Sequence, residues 1–231
     1  MSSESLDARL GSVAALVRQG AVLADIGTDH AYLPLFLLRT GRISSAFCCD
    51  VAEGPLARAR ENAAATPYAD RIRFVLTNGL CGLESEDIDD ITVCGMGGEL
   101  ICSILEAAPF VRDARYRLIL QPMTKQEHLR AYLYANGFHI EKEVYSEAEG
   151  KVYVAMLVSY DGRVREVTSA EALMGTVDTI DPGDKAQAAY FANKRRALLA
   201  AAQGKVRGGQ DASEEEMLMS AIDRAFLNDN K

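Results

Sequence analysis

The sequence contains no tryptophan, only three histidines, and five cysteines (Cys48, Cys49, Cys81, Cys94 and Cys102) with no C-x-x-C pair. An odd cysteine count without paired spacing argues against a disulfide framework and against a zinc cage. Metal-ligand spacing is absent elsewhere too, so no metal is expected. Ser-His-Asp or Cys-His catalysis has no supporting constellation, because His128 and His139 fall in a last crossover helix and a hairpin. Long apolar runs are missing. The most apolar stretch, residues 31–38, is far short of the roughly 20 residues that span a bilayer. Residues 1–10 lack the apolar core of a signal peptide. A soluble, cytoplasmic protein with no membrane partner is expected. An excess of positive charge is also lacking, with 25 Lys+Arg against 33 Asp+Glu and a net charge of -8. That balance excludes a broadly basic nucleic-acid binder and leaves room for a local basic patch.

What is present is globular. Hydrophobic residues are 48% and charged residues 25% of the 231, which fits neither disorder nor a fibre. At about 150 residues per domain, the length suggests one sheet domain of about 160 residues and a smaller unit. Up to residue 160 strand-like and helix-like segments alternate. Residues 21–26, 46–49, 72–76, 91–94 and 117–120 read as buried strands. Helical stripes accompany them: Leu6, Leu10, Val13 and Val17 before the first, Leu56, Ala59 and Ala63 after the second. Ile101, Ile104 and Leu105 follow the fourth strand, and Leu129, Tyr132 and Leu133 the fifth. Such alternation implies an α/β fold with a parallel sheet and helices on both faces.

The sixth unit breaks this rhythm. Residues 138–145 and 152–160 are β-rich and joined by a six-residue link too short for a helix, so they pair as an antiparallel hairpin. A Rossmann-like sheet closed in this way resembles the class I S-adenosylmethionine methyltransferase fold. Residues 1–160 are therefore expected to form the methyltransferase domain and residues 161–231 a helical, coiled-coil-like extension. In the latter, 181–184 starts a helix running to about Gln203, 204–210 is a loop, and Ser213 to Glu216 opens a last helix with capping-box chemistry.

The strand ends share one rim. Asp25-Ile26-Gly27-Thr28-Asp29-His30-Ala31-Tyr32-Leu33-Pro34 follows the first strand, where open α/β sheets bind ligands. Gly27 allows close backbone approach, and Asp25 suits a cationic amine. G-x-G-x-x-G is absent, because Asp29 stands at the second glycine's place and would repel a pyrophosphate but tolerate a sulfonium and an ammonium. The plain alternative makes Asp29 the N-cap of the next helix. Asp50 lies 25 residues after Asp25, close to the offset of about 20 at which an acid grips ribose hydroxyls. Asn78-Gly79 follows the third strand, at a position suited to an adenine ring or to an ordinary turn. Gly95-Met96-Gly97-Gly98 ends the fourth and Gln121-Pro122-Met123 the fifth. Buried Cys48 and Cys49 are expected to pack.

The string from Ala24 to Pro34, with Gly95-Met96-Gly97-Gly98 and Leu120-Gln121-Pro122, resembles the bacterial tRNA (adenine-N1)-methyltransferase family that modifies adenine 22. Asn136-Gly137-Phe138 and the Lys151-x-Tyr153 pair are similar to it as well. Asn78 and Met123 depart from the pattern, standing where an aspartate and an asparagine are expected. The resemblance implies S-adenosyl-L-methionine as cofactor, tRNA as partner and methyl transfer to adenine N1. It implies cofactor contacts from Arg9, Asp25, Gly27, Asp29, His30, Asp50, Asn78, Gly79, Gly95, Met96, Gly97 and Gly98, and catalytic roles for Asp29, His30 and Tyr32. Gln121 and Pro122 would meet the base, which must leave its stack to expose N1. A phosphate backbone needs cations. Residues 185–207 hold Lys185, Lys194, Arg195, Arg196, Lys205 and Arg207 and no carboxylate, with a solvated helix face as the plain alternative. A monomer or weak homodimer is expected. The residues alone also admit a methyltransferase for a small molecule or protein whose tail dimerises, and a non-catalytic cofactor- or RNA-binding module.

Overall fold

The computed structural model describes residues 5–175 and 179–226. Helix α1 (Ala8–Leu16) opens the fold, with the Asp7 carboxylate accepting from the Leu10 amide at 2.7 Å. Then follow β1 (Ala21–Ile26), α2 (Tyr32–Arg39), β2 (Ile43–Asp50), α3 (Glu53–Ala64), β3 (Ile72–Leu76), β4 (Asp90–Gly97), α4 (Gly98–Glu106), β5 (Arg117–Thr124), α5 (Gln126–Ala135), β6 (Phe138–Ala148) and β7 (Lys151–Tyr160). The seven strands form one sheet in the order β3-β2-β1-β4-β5-β7-β6. The first five strands run parallel, while β7 is antiparallel to both β5 and β6. Strand order reverses between β1 and β4, which opens a crevice at their carboxyl ends.

The period-2 pleat sorts side chains between two cores. Leu23, Cys48 and Ile119 join α1, α2 and α3 on one face. Ala24, Cys49, Leu118 and Leu120 join α4 and α5 on the other. The expected stripe residues Val13, Leu56, Ala59, Ala63, Ile101, Leu105, Leu129 and Leu133 are all buried.

Several elements differ from expectation. The hairpin link is two residues, not six: Glu149 and Gly150 both take positive φ (53° and 71°). That is the chemistry of a tight hairpin turn, and it lets pairing run up to Ala148↔Lys151. β4 continues through Gly97, with register shifts at Met96, because Gly95 at φ 76° supplies a bulge. A short helix, α6 (Ser169–Met174), was not anticipated. It carries a Thr168–Glu171 capping box, whereas at Ser213 it is Asp211 that accepts from the Ser213 amide and hydroxyl.

Beyond the sheet, α7 (Lys185–Arg207) and α8 (Ser213–Phe226) complete the chain. Helix α7 runs through Gly204, so Lys205 and Arg207 lie on a helix and not in a loop. Arg195–Asp223 and Lys205–Glu215 pairs set the two helices antiparallel. Tyr190 and Phe191 pack their rings on Tyr145 of β6, and Phe226 stacks on Phe191 at 5.0 Å. Beneath them Arg130 of α5 and Glu143 of β6 form an ion pair with both side chains fully buried. Burial alone would lower the Arg130 pKa, but the Glu143 carboxylate holds it well above its ordinary value. No helix among the described residues is long and apolar enough to cross a membrane.

Candidate active site

Two cavities meet at Gly27. The first, of about 280 Å³, is lined by Arg9 of α1, by Asp25 to Leu33 and by Cys94 and Gly95. The second, of about 120 Å³, is lined by Asp50 and Val51, Thr77 to Gly79, Met96, and Leu100 and Ile104 of α4. Gly27 has φ 77°, and a Cβ there would run into the Met96 side chain. The positive φ is what favours glycine here, whereas the Met96 methyl is the end of a flexible side chain and can shift.

Asp25 lies at the end of β1 and is buried, with its Oδ1 accepting from the Thr92 hydroxyl at 2.8 Å. Burial pushes its pKa up, and the Thr28 and Thr92 hydroxyls partly offset that. A buried carboxylate without a cationic neighbour is a receptor for one. Arg9 lines the same cavity, its Nη1 donating to Gln121 Oε1 at 2.9 Å and its guanidinium standing 5.9 Å from the Tyr153 ring. An anion and a cation in one cavity match a zwitterion.

Asp29 does not cap the next helix. Ala31, at φ 56°, precedes α2 and leaves the Asp29 carboxylate at the outer lip. There Arg58 of α3 holds it at 2.8 Å, and His30 Nε2 lies 3.4 Å away. Asn62, one turn further along α3, donates to the His30 carbonyl at 3.0 Å. The His30 and Tyr32 rings stack at 5.0 Å and 12°, presenting a flat wall. Neither Arg58 nor Asn62 was anticipated; their spacing of four on one helix face is the signal that points to a shared neighbour.

The second cavity gathers Asp50, Asn78, Gly79 and Met96 as expected. Asp50 Oδ1 accepts from the Ala52 amide at 2.8 Å, which fixes the carboxylate at the strand end. Val51 and Leu100 are exposed apolar side chains on this cavity. Gly97 and Gly98 line neither cavity. Instead, a Cβ on Gly98 would strike the Lys125 carbonyl, so these glycines lock the β4 rim onto the β5 rim. Gln121 and Pro122 are buried, and the Gln121 amide is spent inside the protein, which is at odds with direct contact to a base.

The expected basic run is on α7 and lines neither cavity. Lys194 bridges to Glu127 at 3.2 Å, Arg195 to Asp223 at 2.6 Å and Lys205 to Glu215 at 2.6 Å. Cations free of acids in sequence are thus partly neutralised in space. Arg196 and Arg207 are exposed and, among the described residues, hold Asn193 and the Gln203 carbonyl. Thiolates are disfavoured at these strand ends: burial, with Asp25 and Asp50 beside it, pushes Cys49 up to about 12. Burial raises Cys48 and Cys94 likewise. Among the described residues no His, Cys, Asp and Glu cluster is fit to hold a metal.

A family model described as a methyltransferase domain matches residues 6–156. The curated tRNA (adenine(22)-N(1))-methyltransferase of Bacillus subtilis is 35% identical over 169 residues, 70% of this chain and 71% of its own. Among solved structures, a Streptococcus pneumoniae protein in complex with S-adenosyl-L-methionine superposes with TM-score 0.83 at 32% identity, covering 96% of this chain and 99% of its own. The crystal structure of the B. subtilis m1A22 tRNA methyltransferase gives TM-score 0.83 at 27% identity, covering 96% and 98%.

Proposed function

The chain belongs to the bacterial tRNA (adenine(22)-N(1))-methyltransferase family, and we propose that its two cavities hold S-adenosyl-L-methionine while their outer lip receives the base. The enzyme methylates N1 of adenine 22 in tRNA with S-adenosyl-L-methionine as cofactor. When bound, the cofactor supplies an electrophilic methyl group on a positively charged sulfur.

One observation carries the site reading: Asp25 and Arg9 line one cavity, and an apolar cavity edged by Asp50 continues from it across Gly27. Asp25 accepts from the cofactor's ammonium and Arg9 donates to its carboxylate. Asp50 accepts from the ribose hydroxyls. Val51 and Leu100 bracket the adenine ring, and Asn78 and Gly79 edge it. Met96 lines the second cavity beside Gly27.

Adenine N1 already carries a lone pair, so the chain need not remove a proton before transfer. Alignment is its main contribution. His30 and Tyr32 offer the wall on which the extruded base stacks. Asp29, oriented and partly neutralised by Arg58, sets a carboxylate at the lip where the methylated base becomes cationic. Residues beyond about 160 act as a helical arm, packed on the sheet through Tyr190 and Phe191, that grips the tRNA backbone through Arg196 and Arg207, aided by Lys194, Arg195 and Lys205. We place the enzyme in the cytoplasm, working without metal, as a monomer or weak homodimer.

The test is transfer of labelled methyl from S-adenosylmethionine to unmodified tRNA, beside a transcript with guanine at position 22. Incorporation only with adenine 22 is expected. No incorporation by protein that still binds the cofactor would overturn the reading.

A further inference from the structure

Gln121 is fully buried near the end of β5, yet it links three parts of the crevice. Its Oε1 accepts from Arg9 Nη1 at 2.9 Å and from the Gly95 amide at 3.1 Å. Its Nε2 lies 3.3 Å from the Pro122 carbonyl and 3.6 Å from the Met123 sulfur. With two N–H donors converging on one atom, only the oxygen can sit there, so the amide has one orientation. Arg9 lies 112 residues away in sequence on a helix outside the sheet. A free arginine side chain carries about 2 kcal/mol of rotamer entropy; here Gln121, the Tyr153 ring and the Asp7 carboxylate, 3.8 Å from Nε, restrict the fork, and the residue still lines the cavity.

We propose that Gln121 is a positioning residue that presents the Arg9 guanidinium to the cofactor's carboxylate and couples it to the Gly95 turn, without touching the tRNA base. The inference rests on the reading of Arg9 as the carboxylate partner. It defines what the site selects: a cofactor with an intact α-carboxylate. It also explains the glutamine itself, since a carboxylate there would neutralise Arg9 and an apolar residue would strand two donors.

The experiment measures equilibrium dissociation constants for S-adenosylmethionine and for its decarboxylated analogue, in wild type, Arg9→Met, Gln121→Met and Arg9→Lys. Wild type is expected to prefer the intact cofactor by about tenfold or more, as a charge-assisted hydrogen bond implies. Gln121→Met should reduce that preference to within about threefold of unity, because Arg9 loses its anchor. A merely structural glutamine would weaken both ligands equally and leave the ratio unchanged, which overturns the proposal. Arg9→Lys, at a partly exposed position, keeps the charge and loses the anchored fork. Retention of full preference in that variant also overturns the proposal, whether or not Gln121→Met folds. Full preference in Arg9→Met would instead overturn the reading of Arg9. Loss in Arg9→Met with retention in Gln121→Met would sink the Gln121 inference alone.

Discussion

Replacing Arg130 by methionine tests the ion pair beneath the helical arm. In the native protein Arg130 Nε and Nη2 donate to Glu143 Oε1 and Oε2 at 2.6 and 3.2 Å, and Nη1 reaches the α6 carbonyls of Ala172 and Leu173 at 3.2 and 2.8 Å. The Tyr145 hydroxyl donates to Glu143 at 2.7 Å. Arg130→Met leaves the Glu143 carboxylate buried with one neutral donor and strands two carbonyls. Breaking a buried pair from one side costs about 3–5 kcal/mol, and the lost carbonyl bonds add about 1 kcal/mol each when fully felt. We expect a loss of about 4–6 kcal/mol against a total stability of about 5–15 kcal/mol. At about 2–4 °C per kcal/mol for a chain of this size, melting falls by about 10–20 °C. The double variant Arg130→Met/Glu143→Leu removes both charges and should return to within about 2 kcal/mol of wild type. Urea and thermal denaturation followed by circular dichroism measure both. A single variant within about 1 kcal/mol of wild type, or a double variant no more stable than the single, refutes the reasoning.

Further outcomes follow from the same geometry. Because burial raises the Asp25 pKa and a cationic ligand favours its ionised form, cofactor affinity should climb with pH up to the raised value of the cofactor-free protein, then level off. The cofactor-free protein should lose stability as pH rises from about 4, the ordinary carboxylate value, through that raised value, since its folded state holds the proton more tightly. Calorimetric binding across pH checks both, with Asp25→Asn flat, and a pH-independent affinity in wild type would contradict it. Gly27→Ala should cost about 1–2 kcal/mol from left-handed backbone strain, and its added methyl should weaken cofactor binding by more than the melting shift suggests. Arg196→Glu and Arg207→Glu should each raise KM for tRNA severalfold and flatten its salt dependence, leaving cofactor affinity alone. Equal effects on both ligands would refute a role confined to tRNA.

The sheet was legible because each parallel strand is a short apolar run with helical stripes between, and β1 and β3 begin and end where the pattern places them. The first-strand motif and the glycine rim were legible because strand ends in such sheets converge. Other features depend on contacts that sequence order conceals. Arg130 sits in an amphipathic helix where an arginine reads as surface, and only α6 and β6 closing over it make it core. The α7 cations looked free because their partners, Glu127 and Asp223, come from other helices. Gln121 looked like a ligand for the base because its strand ends at the rim, yet its side chain turns back to Arg9 and Gly95.

The Arg9–Gln121 link also bears on when the protein becomes competent during synthesis. Residues 21–97 carry Asp25, Gly27, Asp50 and Met96, so most of the side chains proposed to hold the cofactor have been synthesised once β4 has emerged. The carboxylate partner does not, because Arg9 waits for a strand more than a hundred residues later and for Tyr153 on the returning hairpin. Domains fold as units while the chain is made, so a nascent chain stopped before β5 holds Arg9 unanchored. Ligand capture with full carboxylate selectivity therefore reports closure of the whole sheet, and truncated or stalled chains bind neither S-adenosylmethionine nor its by-product with native preference.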